Sequence, residues 1–143
     1  MEEDRSVYEV LGLKFGACKM VVAGKPCKRE LLESDRHMRV ATKYPRTARE
    51  YFESQARDVE IIKLNGSVEL GPIVSLADVI VDIVESGATL KANGLIVLEE
   101  IMPLSARVIV NPASLQVKHE ALHILLEQLQ SYLRGENDDT FIR

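Results

Sequence analysis

The stretch Val79-Ile80-Val81-Asp82-Ile83-Val84-Glu85-Ser86-Gly87-Ala88-Thr89-Leu90 constrains the fold more than any other part of the chain. Its first half is an apolar, β-branched run, the pattern of a strand buried on both faces. It breaks at Ser86-Gly87 and resumes as a helix-compatible segment, Thr89-Leu90-Lys91-Ala92. A strand that feeds a small-residue turn and then a helix start makes an anion cradle. The first N–H groups of the helix are unpaired, and glycine lets a phosphate approach the main chain. Asp82 is the exception inside the run. A carboxylate there is costly unless it lies at the mouth of the strand with a partner, where it can accept hydrogen bonds from the 2- and 3-hydroxyls of a ribose. An acid followed by hydroxyl-glycine-x-hydroxyl reads as a grip for a ribose 5-phosphate.

The rest of the chain supports an α/β reading. Strands are expected at Cys18–Ala23, Met38–Thr42, Val59–Leu64, Leu95–Met102 and Arg107–Val110, the last two on either side of Pro103. Asp4–Leu11 carries a Ser-x-x-Glu capping box and is expected to be a short helix ended by Gly12. Thr47-Ala48-Arg49-Glu50 is a second such box, opening a helix to about Gln55. Ser67 is expected to cap a short helix limited by Pro72. Residues 118–133 give the cleanest helical period: Leu122, Leu125, Leu126, Leu129, Tyr132 and Leu133 form one stripe, with Gly135 as terminator and a solvated tail beyond. The alternation of strand and helix from 38 to 94 predicts a largely parallel sheet.

Charge and cysteine usage narrow the function classes. With 18 Lys+Arg against 22 Asp+Glu, the chain lacks the basic excess of a nucleic-acid binder. Nine of the basic residues and five of the acidic ones fall between Lys25 and Arg57, either a solvated surface or a face that attracts polyphosphate. Cys18 and Cys27 have neither zinc nor disulfide-framework spacing. No signal peptide or long apolar run is visible, so a cytoplasmic location and no membrane partner are expected. Lys43, following a strand, reads as solvated, and His119 and His123 read as helix surface rather than metal ligands.

Glu69, Ser75, Ala77, Ile80, Asp82, Ile83, Ser86, Gly87, Thr89 and Leu90 keep the spacing of the signature of the ATP phosphoribosyltransferase catalytic subunit, which the chain resembles. Ser75 stands where that family usually has glycine. Further segments are similar, among them Ala41-Thr42-Lys43-Tyr44-Pro45, Gly66-Ser67-Val68-Glu69-Leu70 and Asn111-Pro112-Ala113-Ser114, whereas Arg46 and Ala48 depart from the family's usual residues.

The resemblance implies a two-lobed, periplasmic-binding-protein-like α/β architecture. Residues 25–103 would form the second lobe, and 1–24 with 104–143 the remainder of a partial first lobe. It implies joining of N1 of ATP to phosphoribosyl pyrophosphate with loss of pyrophosphate, the first step of histidine biosynthesis. Mg²⁺ is the implied cofactor. A homo-oligomer and a regulatory subunit related to histidyl-tRNA synthetase are the implied protein partners, as in the family's short form. Asp82 is the expected catalytic residue; Ser86, Gly87, Ala88, Thr89, Glu69 and Glu85 are the expected substrate contacts, and no side chain is assigned as a metal ligand. Because the family's opening segment has no counterpart, the chain alone is expected to be inactive. The alternative reading is a non-catalytic solute-binding module that grips a phosphorylated sugar.

Overall fold

The computed structural model describes residues 8–13, 17–34 and 36–138. It divides into two compact units, one built on Cys18–Leu104 and the other joining the first strand to the residues from Ser105 onward.

The first unit is a five-stranded sheet. β2 (Cys18–Gly24), β3 (Met38–Thr42), β4 (Val59–Lys63), β5 (Val79–Val84) and β6 (Ile96–Leu104) run in the order β4-β3-β5-β2-β6. β3 pairs in parallel with both β4 and β5, whereas β2 pairs antiparallel with both β5 and β6. The sheet is therefore mixed rather than largely parallel. β2 is an interior strand bonded on both sides, so Cys18–Gly24 belongs to this unit. Pro103 does not interrupt β6, because an edge strand has one row of N–H groups with no ladder partner to lose.

Strand alternation distributes the core over two faces. On one, Met20, Val22, Val40, Val79 and Val81 meet Leu32 of α1 (Arg29–Leu32) and Ala48 and Phe52 of α2 (Pro45–Ser54). On the other, Val21, Ala23, Ala41, Ile80 and Val84 meet Val68, Ala77, Leu90 and Leu95. α2 begins two residues before its expected capping box. Pro45 occupies its first turn, where the missing N–H costs nothing, and no side chain caps Tyr44 at its start. Instead Thr42 Oγ1, fully buried, accepts the Tyr44 N–H at 2.9 Å and donates to the Val81 carbonyl at 2.7 Å. The other end of α2 is tied to β6 by Glu99, which takes both Arg57 guanidinium N–H groups at 2.7 and 2.9 Å and the Tyr51 hydroxyl at 2.8 Å.

The second unit corrects two expectations. Tyr8–Gly12 is a strand, β1, antiparallel to β7 (Arg107–Val110), rather than the end of a helix; the backbone ladder outweighs the capping signal, whose Ser6 lies outside the described residues. α4 (Pro112–Val117) is capped by Asn111, whose Oδ1 accepts the Ala113 N–H at 2.8 Å. α5 (His119–Asp138) runs through Gly135, at a cost of about 1 kcal/mol relative to alanine. Its stripe is not a buried core: Leu122, Leu126, Leu129 and Leu133 are half-buried, whereas Leu125 and Tyr132 are 51% and 66% exposed.

Candidate phosphoribosyl site

The site lies at the carboxyl end of β5, on the face that carries Ile80 and Val84. Asp82 falls between those two residues in the same alternation, so its side chain shares their face and stands opposite Val21 of β2. A pocket of about 260 Å³ opens there, lined by Glu69, Asp82, Glu85, Ser86, Gly87, Ala88 and Thr89 together with Ile83, Val84 and Leu90. All seven residues expected to touch substrate thus meet in one place. Asp78 does not join them. It stands at the other end of β5, where Lys28 Nζ reaches it at 2.9 Å and the Arg39 N–H at 3.0 Å. His119 and His123 belong to the second unit, on α5, with rings stacked 6.4 Å apart and His123 facing Glu127.

The turn is built by Gly87, whose φ of +74° is left-handed. A Cβ added there meets nothing within 4 Å, so glycine is favoured for conformation rather than for space. Ser86 Oγ accepts the Ala88 N–H at 3.3 Å, which leaves its hydroxyl proton free to donate outward. Among the described residues the N–H groups of Gly87 and Thr89 have no partner. The helix that follows, α3 (Ala88–Ala92), has only five residues. Its dipole is correspondingly small, and the cradle consists of the loop's own N–H and hydroxyl groups instead of a long helix start. Glu85, Ser86 and Thr89 are exposed and available to a ligand.

Asp82 is half-buried, and its Oδ1 accepts the N–H of Ile83 at 2.8 Å. Burial pushes its carboxyl above the usual range, the Ile83 N–H pulls it back, the Glu69 charge raises it further and the Lys43 charge lowers it. Among the described residues no cation lies within ion-pair distance of Asp82 or Glu69. Two carboxylates sharing a pocket with that deficit form a donor set that suits a hard divalent ion brought in with an anionic substrate. Among the described residues no group of three or more His, Cys, Asp or Glu side chains gathers to hold a metal alone. Glu69 reaches the pocket from a 3₁₀ turn, Val68–Leu70, entered through Ser67 at φ 50° with no side-chain cap; the hydroxyl does not act as expected. The excursion returns through Ser75 at φ 60°, the position where glycine was expected.

Lys43 is exposed, as expected from the sequence, and its charge also acts on Asp82. The signal available was the parallel pairing of β3 with β5, which no local pattern reveals. A larger hollow beside α1, lined by Cys27, Lys28, Glu30, Leu31, Ser34 and Arg36, contains none of the loop residues, and its Lys28 is committed to Asp78.

The family profile described as ATP phosphoribosyltransferase matches residues 1–131. The chain belongs to the ATP phosphoribosyltransferase family. It is 54% identical over 134 residues to the ATP phosphoribosyltransferase of Lachnoclostridium phytofermentans, covering 93% of this chain and 62% of that protein. Against the ATP phosphoribosyltransferase of a Thermoanaerobacter species, identity is 56% over 131 residues, with 91% and 60% covered. Among solved structures it is similar to the ATP phosphoribosyl transferase (HisG:HisZ) complex from Thermotoga maritima, with a TM-score of 0.80, 38% identity, and 94% of this chain and 65% of that one covered. An arginine-bound ArgBP from T. maritima matches at a TM-score of 0.59 and 16% identity, covering 90% of this chain and 59% of that one, a likeness of fold alone. The two-lobed binding-protein class expected for this family is thus the fold class to which the chain is similar. The chain spans about three fifths of the length of the curated relatives it matches. Among the described residues no helix is long and apolar enough to cross a membrane.

Proposed function

We propose that this chain carries the phosphoribosyl-binding part of an ATP phosphoribosyltransferase, which joins N1 of ATP to C1 of phosphoribosyl pyrophosphate in the first step of histidine biosynthesis. The observation that carries the reading is the single pocket in which Asp82, Glu69 and the Glu85–Thr89 loop converge, in a chain of this family. The 5-phosphate sits on the N–H groups of Gly87 and Thr89 and the hydroxyls of Ser86 and Thr89. Asp82 accepts from the ribose 2- and 3-hydroxyls. As the N1–C1 bond forms, the C1–O bond to pyrophosphate breaks and its electron pair departs with the leaving group, so no enzyme nucleophile is needed. Positive charge develops on the sugar, and the Asp82 carboxylate stands beside it, already in place. Mg²⁺, held through its waters by Glu69 and Asp82, would supply neutralisation of the pyrophosphate charge. Residues 18–104 correspond to the second lobe in this reading and the other unit to part of the first.

The partners follow from the same reading: a second copy of the chain, and a regulatory subunit related to histidyl-tRNA synthetase. The T. maritima relative, solved as a HisG:HisZ complex, supports the second. Calorimetric titration of phosphoribosyl pyrophosphate with Mg²⁺ tests the site. Saturable binding is expected, and Thr89→Ala should weaken it by about 1–3 kcal/mol, the range for a lost hydrogen bond to a charged group. Absence of binding by the wild-type chain, or a Thr89→Ala affinity equal to wild type, would overturn the assignment. A complete catalytic assembly that bound the sugar phosphate but formed no N1-linked product would favour the solute-binding alternative.

A further inference from the structure

The reading above gives no role to Lys43, yet the fold brings it to the site. Thr42, the last residue of β3, is paired in parallel register with Val81 of β5, so Lys43 leaves β3 at the end of the sheet where β5 carries Asp82. The residues that precede the two share a face. Ala41 and Ile80 lie in one buried cluster; Asp82 stands two residues beyond Ile80 on that face of β5, and Lys43 follows two residues after Ala41, just past the end of β3. The Lys43 side chain is exposed, and among the described residues its ammonium has no hydrogen bond or ion pair. Its charge acts on Asp82 and lowers that carboxyl's pKa.

Sheet order fixes the sequence of groups across this mouth. From β5 the chain passes through the Ser86–Thr89 loop and α3 to β6, on the far side of β2, whereas β3 flanks β5 on its other side. Asp82 therefore stands between a set of N–H and hydroxyl donors and a free ammonium, with adjacent strands roughly 4.8 Å apart. A ligand that matches this order carries one anionic group, then a diol, then a second anionic group.

We propose that Lys43 binds the diphosphate on C1 of the sugar, and so selects a pentose phosphorylated at C5 and diphosphorylated at C1 over the 5-phosphate alone. This rests on the phosphoribosyl reading of the pocket: the 5-phosphate occupies the loop, the 2- and 3-hydroxyls meet Asp82, and C1 points toward β3. Lys43 adds a point charge on a flexible stem, suited to a leaving group that must be released after the bond breaks.

The test uses the 143-residue chain, its Lys43→Gln and Lys43→Arg variants, and two ligands, ribose 5-phosphate and phosphoribosyl pyrophosphate, titrated calorimetrically at one Mg²⁺ concentration. Lys43→Gln should weaken the diphosphate ligand by roughly ten- to a hundredfold, as for a lost charged hydrogen bond, and leave ribose 5-phosphate within about twofold. Lys43→Arg should keep most of the wild-type preference. Retained ribose 5-phosphate binding also reports that the variant is folded. Equal weakening of both ligands would overturn the proposal and reduce Lys43 to a countercharge for Asp82. Unchanged binding of both would overturn it too and leave the phosphoribosyl reading intact. Failure of the wild-type chain to bind either ligand would remove that reading, and this proposal with it.

Discussion

Asp82→Asn should separate what this carboxylate does for the ligand from what it costs the fold. In the folded chain Asp82 is half-buried, one oxygen is paired with the Ile83 N–H, Glu69 repels it, and no cation is within ion-pair distance among the described residues. Burial, followed by the Glu69 charge, raises its folded-state pKa above the unfolded value of about 3.9. A carboxyl with a raised folded pKa binds more protons folded than unfolded, so stability falls as pH rises from the unfolded pKa to the folded one. Above both, the cost is present in full. Asparagine keeps an oxygen for the Ile83 N–H and removes the charge. One lone-pair site is satisfied by that N–H and water reaches the exposed half, so the relief is modest, about 1 kcal/mol, within the usual range for replacing a destabilising functional group. For a chain of this size that is a rise of a few degrees in Tm. Melts of wild type and variant from pH 8 to pH 3 should show the variant more stable at neutral pH and the two curves converging in acid. Calorimetry on the same samples should show phosphoribosyl pyrophosphate binding lost or weakened more than tenfold, as a charged hydrogen bond to the diol disappears. A variant less stable than wild type at pH 8, with ligand affinity unchanged, would show that Asp82 is a structural carboxylate and that the ribose assignment is wrong.

Glu99→Gln should destabilise the first unit by about 1.5–3 kcal/mol, because it breaks a bidentate contact to Arg57 and weakens the Tyr51 hydrogen bond. The Arg57 hydrogen bonds outweigh burial and hold the Glu99 carboxyl below its ordinary value, so wild-type stability is greatest above the unfolded pKa and falls as pH drops through the folded one. Denaturant titrations at pH 7 and pH 3 should find the variant's deficit smaller at the lower pH; an equal deficit at both would contradict the charged role. Ser75→Gly and Ala56→Gly each relieve a left-handed backbone at a residue with a Cβ, φ 60° and 54°, and should each raise stability by about 0.5–1 kcal/mol after the entropy of an added glycine is subtracted. A drop in Tm for Ser75→Gly would mean that the serine side chain contributes more than its backbone strain costs.

Local signals were enough where the chain's own chemistry decided the outcome. The β-branched run before Ser86-Gly87 has the pattern of a buried strand ending in a small-residue turn, and the structure has that strand and turn, with Gly87 left-handed. The signature residues from Glu69 to Thr89 were legible as a group, and the fold does gather them. The departure at Ser75 was visible as well, and the backbone there is left-handed. Local signals failed where two segments compete for partners. The capping box at the N-terminus lost to a ladder with β7, and the box at Thr47 lost to Pro45, whose fixed φ starts a helix without a side-chain cap.

Nearest-neighbour geometry was beyond the reach of the sequence. The β2 segment reads the same whether it lies at an edge or in the interior, and only the antiparallel pairing with both β5 and β6 placed it in the middle of the sheet. The apolar stripe of α5 has the period of a core helix, but period specifies which side chains share a face, not whether anything covers that face. Lys43 is separated from Asp82 by 39 positions in the chain. The sequence determined a strand, the acid within it and the turn that follows. Tertiary structure decided which charge faces that acid, because a parallel register brings together residues that no local interaction connects.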